Sequence, residues 1–202
     1  MNRNQKHLDY IDAVNLGSYY TPEIIVDLAY SILQKNITKI KDFTILDSSC
    51  GYGSFLIKNN IAKRLVGADI DQKAVFEAKK MINNVDFICQ NSLLNVCRPN
   101  LTIKNEEKLI VIGNPPYNDT TSIIRNSIKD ISVQDKIDSD IKTRDLGMSF
   151  LLSYDKLQAD YVCVLHPLSY LIKKANFSLL SKFSQNYKLI DGIIISSHEF
   201  SD

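Results

Sequence analysis

At the end of an apolar run, Leu109–Gly113, stand Asn114, Pro115, Pro116 and Tyr117. The Asn114 amide oxygen accepts hydrogen bonds, and the Pro115 carbonyl beside it is free because no helix or strand follows at once. Two such acceptors can hold an exocyclic –NH2 group and draw its lone pair out of conjugation. Tyr117 adds a flat face for a planar group, a contact worth roughly 1–3 kcal/mol per nucleobase. Pro-Pro alone reads as a rigid turn, but that reading leaves Asn114 and Tyr117 without a purpose. A second constellation lies earlier in the chain. Asp47 precedes the turn Ser48-Ser49-Cys50-Gly51-Tyr52-Gly53, where glycines let the backbone approach a ligand closely. Its acid can meet an ammonium group. Asp69 follows 16 residues after Gly53, the place where doubly wound folds put an acid that accepts both hydroxyls of a ribose.

The elements that must position these groups can be read from the apolar pattern. Leu109–Gly113 reads as a parallel strand covered on both faces, which needs no polar alternation and must end at the prolines. Phe43–Asp47, Leu65–Asp69, Val85–Cys89, Tyr161–Leu165 and Leu189–Ser196 read as further strands. Ile24, Ile25, Leu28, Ala29, Ile32 and Leu33 recur at helical spacing, with Thr21 as the expected N-cap and Pro22 at the first helical position. A helix is expected from Ser54. Another spans Gln72–Met81, capped by Asp71, which leaves Asp69 for function. Ile70 can lie against a flat ring. Leu146–Leu157 and Ser169–Phe183 read as helical, and His166 as a satisfied structural histidine at a strand end. Strands alternating with helices predict an α/β fold: a mostly parallel twisted sheet with helices on both faces.

These motifs resemble those of a known family. Asn114-Pro115-Pro116-Tyr117 resembles motif IV of amino-methyltransferases acting on adenine N6, cytosine N4 or glutamine N5. Asp47–Gly53 resembles motif I of S-adenosylmethionine-dependent enzymes, with Ser49 in place of proline. Tyr20-Thr21-Pro22 resembles motif X, which contacts the methionine end of the cofactor. The order of motifs, from about Gly17 to Phe200, resembles gamma-type N6-adenine DNA methyltransferases, including those fused to restriction enzymes. The resemblance implies a Rossmann-like methyltransferase fold and S-adenosyl-L-methionine as cofactor. It implies a cofactor site of Tyr20, Thr21, Asp47, Ser49, Cys50, Gly51, Gly53, Asp69, Ile70, Asn91 and Ser92, with Asn91 on the cofactor adenine's amino group. It further implies a flipped adenine held by Asn114 and Pro115 (with Pro116 completing the motif), between Tyr117 and Phe200, as part of a restriction-modification system.

Composition narrows the alternatives. The 202 residues suit one catalytic domain, with a polar segment at 1–16 and a polar loop at 118–145 that carries five Lys or Arg against six Asp. The start is polar and no run of 18 apolar residues occurs, so no membrane association and a cytoplasmic location are expected. Cys50, Cys89, Cys97 and Cys163 are scattered without a CxxC pair, so no metal site or disulfide framework is expected. A net charge of +1 is low for a protein that grips duplex DNA by its phosphates. The double-stranded DNA that the resemblance implies as partner is therefore expected to be held through a target-recognition domain or partner chain outside these residues. The chain alone is expected to show little site-specific methylation. Three other readings stay open: a release-factor glutamine methyltransferase, an RNA methyltransferase, and a non-catalytic fragment that only binds cofactor.

Overall fold

Five of the apolar runs become five parallel strands: β1 (Phe43–Asp47), β2 (Arg64–Asp69), β3 (Asp86–Cys89), β4 (Lys108–Gly113) and β5 (Tyr161–Val164). The computed structural model describes residues 21–58, 60–117, 136–172 and 174–200. The sheet order is β3-β2-β1-β4-β5, and every neighbouring pair is parallel. The order reverses between β1 and β4, so the crevice at their carboxyl ends is where such a sheet takes a ligand.

Helices cover both faces because each central strand is apolar on both. Ile45, Ile110 and Ile112 face one core with Val26, Ala29, Tyr30 and Leu33 of α1 (Glu23–Asn36) and Val75 and Ala78 of α2 (Gln72–Met81). Leu46, Leu109 and Val111 face the other core with Met148, Leu151, Leu152 and Tyr154 of α3 (Leu146–Lys156). Each fully buried Leu or Ile contributes about 1.5–3 kcal/mol by removing apolar surface from water. After β5 come α4 (Ser169–Ile172) and α5 (Lys174–Phe183), the latter packing Leu180 and Phe183 on the second core. Asp71 caps α2 as expected, accepting from Lys73 N and Ala74 N.

Three elements differ from expectation. Thr21 does not cap α1: Pro22 occupies the N-cap, the helix begins at Glu23, and no side-chain cap bond forms. The Thr21 hydroxyl faces Asn114 instead. The helix expected from Ser54 is a single 3-10 turn, Ser54–Leu56. Residues 54–63 must return the chain along the height of a strand, about 17 Å, and an α-helix rising 1.5 Å per residue would consume all of them. Leu189–Ser196 forms no strand among the described residues. Asp191 and Gly192, both poor strand formers, interrupt it. Asp191 is drawn to Asn36 and Lys35 at the end of α1, at 3.0 and 2.9 Å, which leaves Ile190, Ile193 and Ile194 exposed. The end of the long polar loop is packed: Ile137 and Ile141 are buried, and Asp138 accepts from Asn95 N, Val96 N and Lys156 Nζ.

Candidate active site

Strand β1 delivers Asp47 to the crevice because all five of its residues are buried and the chain leaves the sheet at Ser48. Asp47 is 2% exposed. Its carboxylate accepts a hydrogen bond from Ser49 N at 3.2 Å, and among the described residues no lysine or arginine pairs with it. Burial pushes its carboxyl up to about 8; the Ser49 N–H opposes this and the Asp69 charge adds to it. Gly113, the last residue of β4, lets the two strand ends close together. A Cβ at Gly113 would lie 2.7 Å from Asp47 Oδ1, on a backbone at φ +151°. Gly113→Ala should therefore lower stability by roughly 1–3 kcal/mol and disturb Asp47, measurable by denaturant unfolding. A variant as stable as the wild type would mean that the carboxylate moves aside freely.

The loop after β1 is tied to β2. Cys50 N donates to Ala68 O at 3.0 Å, and Gly51 N donates to Asp69 Oδ2 at 2.7 Å. Asp69 Oδ1 accepts from Asp71 N at 2.9 Å, and burial raises this carboxyl against the lowering effect of those backbone donors. Gly51 sits at φ +50° with nothing within 4 Å of where a Cβ would be, so open space lies over the turn. Gly53 adopts φ +80°, and a Cβ there would meet Ile82 Cδ1 at 2.7 Å. Beside Asp69, Ile70 is 45% exposed. Cys50 is buried, and burial raises its thiol.

Past β3, Asn91 is bonded to backbone. Its Nδ2 donates to Lys136 O at 2.7 Å, while its Oδ1 accepts from Leu93 N at 3.0 Å. That leaves one lone pair of Oδ1 for another donor. The Ser92 and Ser49 hydroxyls are buried without a partner among the described residues.

Strand β4 delivers Asn114 directly after Gly113, the glycine that lies against Asp47. Its Nδ2 donates to Thr21 Oγ1 at 3.4 Å. The other end of the amide, Oδ1, is buried with no hydrogen-bond partner among the described residues. Thr21 thus orients the amide so that an acceptor is presented. Pro115 is buried, Pro116 and Tyr117 are half-buried, and Tyr117 packs against the core next to α3. Tyr20 lies outside the described residues. Phe200 falls in a single turn, Ser197–Phe200, and its side chain also lies outside the described set.

Sequence reasoning missed several contributors. Ser48, the residue after β1, donates a buried hydrogen bond of 3.2 Å to the Tyr154 hydroxyl of α3, a contact that no local pattern announces. Thr21, expected as a cap and, by the resemblance, at the cofactor, meets Asn114 instead of the helix start, a pairing no local pattern announces. His166 is not a satisfied structural residue: both ring nitrogens are buried without a partner among the described residues. Burial without a compensating acceptor pushes its imidazole down to about 4.

A parallel sheet with this switch point, and acids at the ends of β1 and β2, defines a Rossmann-like S-adenosylmethionine-dependent methyltransferase fold. The chain belongs to the N-6 DNA methylase family, whose profile matches residues 8–182. The family's cofactor is S-adenosylmethionine. Among solved structures, a proposed RNA methyltransferase from Pyrococcus horikoshii superposes with a TM-score of 0.54 at 16% identity, over 84% of this chain and 71% of that one. A proposed class I S-adenosylmethionine-dependent methyltransferase from Listeria monocytogenes gives 0.55 at 17%, over 82% and 51%. The type I restriction-modification system methyltransferase subunit from Streptococcus thermophilus gives 0.54 at 18%, over 85% and 40%. The chain thus spans about half or less of the latter two. No curated protein matches it.

The residues present fit S-adenosylmethionine. A buried carboxyl without a cation, Asp47, suits an ammonium group, and Asp69 keeps free lone pairs beside open space over Gly51. Among the described residues no cluster suited to a metal ion forms, and no helix is long and apolar enough to cross a membrane.

Proposed function

We propose that this chain is the catalytic domain of an adenine-N6 DNA methyltransferase belonging to a restriction-modification system. The observation that carries the reading is the buried Asn114 Oδ1, unpartnered among the described residues, on an amide whose Nδ2 donates to Thr21 at the carboxyl end of β4. Such an atom stabilises nothing in the free protein and requires a donor. An exocyclic amine, with two N–H groups, supplies one to Asn114 Oδ1 and one to the Pro115 carbonyl. Both bonds pull the nitrogen lone pair away from the ring and aim it toward the cofactor side of the crevice.

S-adenosylmethionine supplies an electrophilic methyl group on a sulfonium. Asp47 holds its ammonium, Asp69 accepts its ribose hydroxyls, Ile70 covers its ring, and Gly51 leaves room for its approach. Ser49, Cys50, Gly53, Asn91 and Ser92 complete the walls. Tyr117 stacks under the target base. Fixing two reactants in this way lowers a barrier by about 7–11 kcal/mol at best. Extracting the adenine from a duplex costs a few kcal/mol, which a recognition domain or partner chain must offset.

Incubation with isotopically labelled S-adenosylmethionine and, separately, duplex DNA, RNA or a release factor tests this reading. Label recovered as N6-methyladenine in DNA, once the recognition partner is supplied, is the expected result. Label in RNA or in glutamine would replace it with one of the other readings, and binding without transfer would leave a cofactor-binding fragment.

Cofactor binding itself gives a separate expectation. Asp69→Ala should weaken S-adenosylmethionine by roughly 1.5–3 kcal/mol, the scale of hydrogen bonds to a charged acceptor. Calorimetry on the isolated chain measures this, and unchanged affinity removes Asp69 from the site.

A further inference from the structure

His166 is the residue at this crevice that neither the folding nor the proposed chemistry uses. It follows β5, whose Val164 is paired with Gly113, and Leu165 N donates to Gly113 O at 3.0 Å. His166 and Asn114 therefore leave adjacent strands at the same end of the sheet. Its ring packs on Tyr170, with centroids 4.7 Å apart. Gly147 at the start of α3 lies between His166 and Tyr117. A Cβ built there would be 2.7 Å from Tyr170 Oη and 3.0 Å from both His166 Cε1 and Tyr117 Cβ, so the two side chains pack around the same glycine. The Tyr170 hydroxyl is bonded to Asp145 and does not serve the imidazole.

A neutral imidazole carries one N–H donor and one acceptor nitrogen. Here both are buried and unpartnered among the described residues. Histidines kept for structure bond at least one of their nitrogens, since an unpartnered buried polar atom destabilises the free protein. Two orphaned groups on neighbouring strand ends, an acceptor on Asn114 and a donor on His166, match a ligand edge with a donor next to an acceptor. An aminated heterocycle has that edge, because the ring nitrogen beside its amine is an acceptor. Guanine presents the opposite order, an oxygen beside a ring N–H.

We propose that His166 is a base-contacting specificity residue, its imidazole N–H donating to the ring nitrogen next to the target amine while Asn114 holds the amine. The assignment rests on the methyltransferase reading above and adds a selection rule to it. The target must carry an acceptor at that ring position.

The test uses the 202-residue chain with S-adenosylhomocysteine, and titrates adenosine and 1-deazaadenosine, which lacks that nitrogen. Histidine ring resonances report the binding; the chain holds only three histidines. Wild type should prefer adenosine by about tenfold, the worth of one such hydrogen bond. His166→Leu should bind both nucleosides equally, and His166→Asn, which keeps an N–H, should retain part of the preference. Removing two unpartnered polar atoms should also raise the thermal midpoint of His166→Leu by about 2–4 °C, whereas loss of a structural histidine would lower it. No preference in wild type, a preference surviving in His166→Leu, or a lowered midpoint each overturn the assignment. Asn114→Ala separates the two ideas. If it weakens both nucleosides while His166→Leu changes nothing, the proposed function stands and the role of His166 falls. If adenosine does not bind, or binds Asn114→Ala as well as wild type, both fall.

Discussion

Asn114→Ala should abolish methyl transfer, by at least about two orders of magnitude, and leave S-adenosylmethionine affinity within about 1 kcal/mol. The reason is spatial. Asn114 Oδ1 is bonded to nothing among the described residues, so its removal takes away no contact of the free protein. Thr21 loses a long bond of 3.4 Å, a small structural change. The loss falls on the target amine, whose lone pair is no longer drawn into line. Single-turnover transfer in the complete assembly, with calorimetry on the same variant, makes the comparison. Equal losses in transfer and in cofactor affinity would place Asn114 on the cofactor and dismantle the site as described.

Asp47 should reveal itself through protons. Its carboxyl, pushed up to about 8, is mostly protonated in the free protein at pH 7. Contact with an ammonium group favours the charged form, so cofactor binding at pH 7 should release close to one proton. Calorimetric heats will then differ between buffers of different ionisation enthalpy. In Asp47→Asn that difference should vanish and affinity should fall by roughly 2–3 kcal/mol. The same shift governs stability. The folded value lies above the ordinary 3.8, so the native state binds more protons than the unfolded chain between pH 4 and 8. The stability contribution is full below pH 4 and is lost as pH rises toward 8, at up to about 1.4 kcal/mol per pH unit. Asp47→Asn should therefore be more stable than wild type at pH 8, with the two converging near pH 4. Buffer-independent heats in the wild type, or parallel stability profiles, would show that the Asp47 carboxyl is not raised, and unchanged affinity in Asp47→Asn would show that it does not meet the ammonium.

The sequence by itself determined the five strands of the sheet and the acids that end β1 and β2. Runs such as Phe43–Asp47 and Leu109–Gly113 are apolar on both faces, which only a covered parallel strand accommodates, and the prolines after Asn114 forbid its continuation. Asp71 was legible as a cap because helix starts are local. The prolines of the tetrapeptide marked where β4 ends.

What the tertiary structure decided are the relations between strands distant in sequence. Whether Thr21 caps α1 or orients Asn114 depends on an approach across 93 positions of chain, and local propensity points to the wrong one. Leu189–Ser196 has the composition of a strand, yet a strand exists only when a neighbour completes its ladder, and Asp191 is held at α1 instead. The high Asp47 carboxyl comes from its burial at the end of β1, with the Asp69 charge adding to it and no lysine or arginine paired with it among the described residues, a consequence of β1 lying between β2 and β4. His166 is ordinary in sequence. Its two nitrogens, unpartnered among the described residues, become visible only when β5 pairs with β4, because a hydrogen-bond deficit is a property of surroundings and not of residue type.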